Sequence, residues 1–104
     1  MTVYVVQEVD GFNILPATRF GDIKILLPSG QVAFSSGPTV NRIKSNLRKY
    51  TFEDYLLMIG DPAAIAIAAA YASTLANGKF RLLKWDRQEK QYIPITVDIS
   101  GGKS

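Results

Sequence analysis

Cysteine and histidine are both absent from this chain of 104 residues. Without cysteine there is no disulfide framework, no thiolate metal site and no thiol nucleophile. Without histidine the usual general base near neutral pH and the commonest metal ligand are missing as well. Carboxylate or lysine chemistry remains. However, Glu8, Asp10, Asp22, Asp54, Asp61, Asp86 and Asp98 are scattered, with no i, i+3 or i+4 pairing on a helix to mark a metal or acid–base pair. The expectation is a protein that is not an enzyme, with no catalytic residues, no cofactor and no metal. Strong charge of one sign is lacking too: 12 Lys+Arg face 9 Asp+Glu, a net +3, which is a milder excess than a nucleic-acid-binding domain usually carries. Internal repeats and low-complexity tracts are missing. The opening "MTVYVVQEVDG" has neither the basic n-region nor the apolar length of a signal peptide.

The 47% hydrophobic and 20% charged composition is that of a globular chain, and the length suits one domain and one core. The segment "TVYVVQE" (2–8) is apolar on both faces and reads as a central strand. Residues 9–21, with Gly11, Pro16 and Gly21, read as an irregular excursion anchored by Phe12, Ile14, Leu15 and Phe20. "DIKILL" (22–27) and "QVAFS" (31–35), joined by "PSG", read as a hairpin. In "GPTVNRIKSNLRKY" (37–50), Val40, Ile43, Leu47 and Tyr50 recur at helical spacing, and Pro38 suits the first helical position.

"YLLMIGDPAAIAIAAAYASTLANG" (55–78) admits three readings. A membrane span needs about twenty apolar residues, and Asp61-Pro62 divides this stretch. A phosphate-binding turn uses several glycines and often a lysine. Here a single glycine precedes Asp61, whose own carboxylate would take the anion's place. The remaining reading is a buried strand (54–60), an Asp61 N-cap with Pro62 first in the helix, and a helix over 62–77 stopped at Gly78. "SSGPT" (35–39) is the better anion candidate of the two turns. With "KFRLLKWD" (79–86) following, 54–86 forms a βαβ unit with parallel strands. Residues 62–78 carry no charge, so a helix apolar all round must be enclosed, and one domain of this size leaves a face for a second subunit. A homo-oligomer is the expectation.

In "QYIPITVDI" (91–99), Ile93, Ile95, Val97 and Ile99 alternate with Tyr92, Pro94, Thr96 and Asp98. That predicts one buried and one wet face, and Pro94 argues for an edge strand. The whole predicts a single α/β domain over 1–99. It has a mixed sheet of five to six strands, one βαβ unit, two helices and antiparallel hairpins at 22–35 and 79–99, with a disordered tail at 100–104.

The candidate surface is basic. Helix 38–49 offers Arg42, Lys44, Arg48 and Lys49. Segment 79–90 offers Arg81, Lys84 and Arg87 beside Trp85, with Lys79 and Lys90 further out. Cations interleaved with aromatics hold single-stranded nucleic acid by charge and stacking. Asp86, Glu89, Glu53 and Asp54 interrupt both clusters. The case is sharper if Arg81 and Lys84 share a sheet face and weaker if the pleat parts them.

"YLLMIGDPAAIAIAAAYA" followed by "LLKWDRQEKQYIPI", with "YVVQE", "ILPATRFGDIKILLPSG" and "SSGPTVNRIKSNLRKY", resembles a group of small proteins encoded by short-tailed bacteriophages. The resemblance implies an intracellular protein made during infection, in the host cytoplasm. It brings no activity and no site residues. The expectation is an accessory protein binding a host or phage protein partner through loop 9–21, the exposed face of helix 38–49 or hairpin 86–91. Nucleic acid is the alternative partner.

Overall fold

The structure is a computed structural model, and it describes residues 1–30 and 37–101. The expected strand 31–35, its hairpin with 22–27 and the two serines of the "SSGPT" turn lie outside the described residues, as do 102–104.

Five strands form one mixed sheet in the order β2-β1-β3-β4-β5. They are β1 (Thr2–Gln7), β2 (Asp22–Leu27), β3 (Tyr55–Leu57), β4 (Lys79–Asp86) and β5 (Gln91–Asp98). The first four run parallel, and β5 returns antiparallel to β4. β1 is central and buried along its length, as its two-sided apolar pattern requires. Helices α1 (Gly37–Leu47) and α2 (Pro62–Leu75) lie on one face over Tyr4, Val6, Leu56 and Phe80. A 3-10 helix (Leu15–Phe20) lies on the other, where Ala17 packs among Val3, Val5, Leu57 and Leu83. The chain is thus a doubly wound α/β domain whose strand order reverses between β1 and β3.

The punctuation around α2 is as the sequence indicates. The Asp61 carboxylate accepts the Ala63 N–H at 2.8 Å, and Pro62 opens the helix. Asn77 and Gly78 both adopt positive φ. The Gly78 N–H reaches back to the Ser73 carbonyl at 2.7 Å, closing the helix. β3-α2-β4 is the expected βαβ unit.

Three features differ from the sequence reading. The strand expected over 54–60 is confined to Tyr55–Leu57, because Ile59 turns back to the Leu57 carbonyl and Gly60 takes φ +119°. In the 9–21 excursion the buried anchor is Ala17, while Phe12 and Leu15 are exposed. α2, as the sequence reading allows, is not enclosed by the domain. Only Ala64, Ala68 and Ala72 are buried, and Ala63, Ala66, Ala70 and Thr74 are exposed. The isoleucine face of β5, expected to be buried, is open: Ile93, Ile95 and Ile99 are 37%, 38% and 65% exposed. Tyr92, on the opposite face, is the buried residue. The cause is topological. β4 joins β5 by a hairpin, so no crossover helix arrives to cover β5. Pro94 does lie on an edge strand. Ser100, the first residue of the expected tail, packs against Gly78, where a Cβ would meet it at 2.9 Å.

Candidate functional site

The basic residues separate into groups that do not converge. Arg42, Lys44, Arg48 and Lys49 are all exposed on and just after α1. α1 itself is pinned over β2 by the Asn46 side-chain N–H to the Leu26 carbonyl at 2.9 Å. That is the sheet edge opposite the β4–β5 hairpin. Lys44 also lies over the Tyr71 ring, 5.7 Å from its centre.

The pleat parts Arg81 from Lys84. Arg81 shares a face with Leu83 and Trp85, whereas Lys84 shares the helix-side face with Phe80 and Leu82. Arg81 is also engaged in structural contacts. Its Nε donates to the Phe52 carbonyl at 2.9 Å, a terminal nitrogen donates to the Glu53 carbonyl, and the guanidinium lies 4.2 Å from the centre of the Tyr55 ring. Its backbone N–H donates to the buried Tyr50 hydroxyl at 3.0 Å. Arg81 is a clamp on the 50–55 connection.

Lys84, Trp85 and Arg87 are neighbours near the turn of the β4–β5 hairpin, with Lys84 and Trp85 on opposite faces of the strand. With Asp86 and Ile93 they line a hollow of about 330 Å³ there. Trp85 is also a wall of a second, apolar hollow of about 210 Å³, completed by Gly11, Phe12, Asn13 and Tyr92. Trp85 and Tyr92 are cross-strand partners whose rings meet edge to face, 4.9 Å between centres. The Tyr92 hydroxyl donates to the Asn13 carbonyl at 3.3 Å, tying the 9–14 loop to the hairpin. Burial raises the pKa of that hydroxyl above its ordinary value. Phe12 is 46% exposed at the rim. The result is an aromatic notch on the face of the 3-10 helix, while Lys84 and Ile93 belong to the opposite, helix-side face.

Sequence reasoning names Trp85, and places Phe12 in an excursion of interest. It misses Tyr92 and Asn13 as parts of the same feature. The available signal was the strand parity that sets Tyr92 with Trp85. Contact with a loop 79 residues away has no local signature.

A third hollow, of about 300 Å³, lies at the carboxyl end of the parallel strands where the order reverses. Its lining includes Glu8, Asp10 and Asp61 and no cationic side chain. Asp61 fills the anion seat at the start of α2 with its own carboxylate. Gln7, buried there, donates to the carbonyls of Pro28 and Gly30 and accepts from the Asp61 N–H. Every polar group of its side chain is used for structure. Asp54, the buried carboxylate, is likewise occupied by the N–H groups of Thr2 and Thr51.

Among the described residues, no group of three or more Asp or Glu side chains is placed to hold a metal ion. No described helix is long and apolar enough to cross a membrane.

The profile of the phage Pam3 gp32-like protein family matches residues 1–99. The chain belongs to that family. It is therefore a small phage protein, as the sequence resemblance implied; the family description does not speak of tail type. No curated protein and no solved structure matches the chain.

Proposed function

We propose that this phage protein is a non-enzymatic accessory factor that binds a host or phage protein in the host cytoplasm, with the Phe12–Trp85–Tyr92 notch as its docking point. The observation that supports this reading is the notch itself. Aromatic side chains from distant segments meet around an open apolar hollow, and hollows of that kind receive the anchoring side chain of a protein partner. Arg87, in the turn that follows Trp85, suits an acidic neighbour of that anchor. The non-enzymatic part rests on the absence of His and Cys from the sequence and on the structural employment of Asp54 and Asp61.

The test uses the chain's single tryptophan as its reporter. Partners captured from infected cells with the wild-type protein are compared with those captured by Phe12→Ala. Retention by the wild type, loss by Phe12→Ala and a change in Trp85 emission on binding are expected. Equal retention by both removes the notch from the reading.

A second reading, weakened by the pleat that parts Lys84 from Arg81 and Trp85, is the binding of single-stranded nucleic acid, for which the neighbouring Lys84, Trp85 and Arg87 speak. Titration with an oligonucleotide at about 50 and about 200 mM salt separates the two, because phosphate contacts weaken steeply over that range. No binding at the lower salt removes this reading.

A further inference from the structure

We infer that the open trough between α2 and β5 is a self-association surface, occupied by the α2 ridge of a second copy in a two-fold dimer. The inference rests on α2 and β5 and is independent of the notch.

The trough has a definable floor and wall. Register places Ile93, Ile95 and Val97 on the same face as Lys84, Leu82 and Phe80, which is the face the helices occupy. Along α2, Ala64, Ala68 and Ala72 point at the sheet. Ile67, Tyr71 and Thr74 turn toward α1, where with Ala70 at the crest they line a shallow hollow with Val40 and Lys44. At 3.6 residues per turn the opposite flank is Ile65, Ala69 and Ala76, each half-buried against the core and turned toward the β5 side. Between that flank and the β5 isoleucines there is no covering element among the described residues.

The chemistry of the surface selects its occupant. Residues 62–78 carry no charge, and on the trough floor Lys84 stands at one end. A polyanion or an acidic peptide would find Lys84 and Arg87 only at the hairpin end, beside Asp86, and no cation along the rest of the floor. What fits is an uncharged, apolar ridge of helical width, and the chain presents one beside the trough: Ala63, Ala66 and Ala70 lie exposed along α2, and their small side chains permit close approach. One two-fold rotation seats the ridge of each copy in the trough of the other, covering both surfaces at once.

Extension of the sheet through β5 is the competing way to pair two copies, and the edge is built against it. The Ile99 N–H bonds to the Gly78 carbonyl, which places Val97, Ile95 and Ile93 in the inward-bonded positions. The outward positions are then Tyr92, Pro94, Thr96 and Asp98, and Pro94 has no N–H to give. Face packing remains. α2 has 14 residues and β5 has 8. Their lengths are about 21 and about 27 Å. A ridge about 21 Å long and about 11 Å wide, seated once on each partner by the two-fold, projects on the order of 450 Å² per partner, with an accessible area near the roughly 600 Å² of a small stable interface.

The experiment is sedimentation of the full chain across micromolar concentrations, with Ile95→Lys, Ala66→Glu and an equimolar mixture of the two. These sites are exposed or half-exposed, so thermal unfolding should show both variants folded. If Ile95→Lys fails to fold, Ile93→Lys replaces it. The wild type should dimerise, and each variant alone should associate about tenfold or more weakly. The mixture should recover a heterodimer, because a lysine on one trough then faces a glutamate on the opposing ridge. A wild-type monomer throughout, variants that dimerise like the wild type, or a mixture no tighter than its components would each overturn the assignment.

Discussion

The side-chain oxygen of Gln7 accepts the backbone N–H of Asp61 at 2.7 Å, joining the end of the central strand to the start of α2. The same carboxamide donates to the carbonyls of Pro28 and Gly30 at 3.3 and 2.8 Å. One buried side chain therefore holds together the loops that follow β1, β2 and β3. Gln7→Leu keeps the bulk and leaves those groups without a partner, at a cost of roughly 2–4 kcal/mol. Gly60→Ala should also destabilise, because Gly60 holds φ +119° and a Cβ there would run into the Gln7 side chain. Urea unfolding measures both. A loss for Gln7→Leu within the scatter of a surface substitution would contradict the structural role.

Arg81→Lys tests the assignment of Arg81 to structure. A lysine cannot reproduce the forked donation to the Phe52 and Glu53 carbonyls or the flat stacking on Tyr55. Stability should fall by about 1–2 kcal/mol while any oligonucleotide binding at low salt is unchanged. Weakened binding with unaltered stability would return Arg81 to the functional surface.

Two substitutions separate the rim of the notch from its frame. Phe12→Ala removes a half-exposed ring and should shift stability by less than about 0.5 kcal/mol. Tyr92→Phe deletes the hydrogen bond to Asn13 and should cost about 0.5–1.5 kcal/mol. It should also alter Trp85 emission, since the two rings touch. Unchanged emission in Tyr92→Phe would argue that the 9–14 loop does not depend on the tie.

Alkaline pH should unfold the protein through its tyrosines. Burial raises the pKa of Tyr4, Tyr50 and Tyr92 above the ordinary 10.0; Asp54 adds to the rise at Tyr4 and Tyr50, while the bond from Arg81 opposes it at Tyr50. A raised folded value means that the native state holds its proton more tightly than the unfolded chain. The associated stability is intact below the unfolded value and is lost as pH climbs through the folded one. Chemical denaturation should therefore show this contribution constant up to about pH 10 and falling above it, together with phenolate absorbance. Tyr50→Phe should flatten part of that fall.

The βαβ unit was legible because its signals are local: Asp61-Pro62 starts α2 and Asn77-Gly78 stops it within the span of the helix itself. The central place of β1 and the edge place of β5 were legible for a related reason, since a two-sided apolar strand and a strand with a mid-run proline each declare their neighbours. The open face of β5 was not. Alternation of Ile93, Ile95, Val97 and Ile99 states that one face is apolar, and whether anything covers it depends on how β4 and β5 are joined. The site was half legible. Trp85 and the cations near it are adjacent in the chain, while the notch needs the 9–14 loop to cross back over the hairpin. Arg81 shows the converse. A cation in a basic run became a structural clamp because the pleat and the 50–55 connection brought carbonyls to it.

The central position of β1 also governs the order in which the molecule can be completed. The Thr2 N–H is bonded to Asp54, 52 residues further along the chain, and Val3 pairs with Tyr55. The β4–β5 hairpin and α2 need only near neighbours and can form within microseconds. β1 leaves the ribosome before β3 and has to wait for it before its second edge is paired. During that interval the apolar "VYVV" is an unpaired strand in a nascent chain, the kind of segment that chaperones engage and that aggregates when translation stalls.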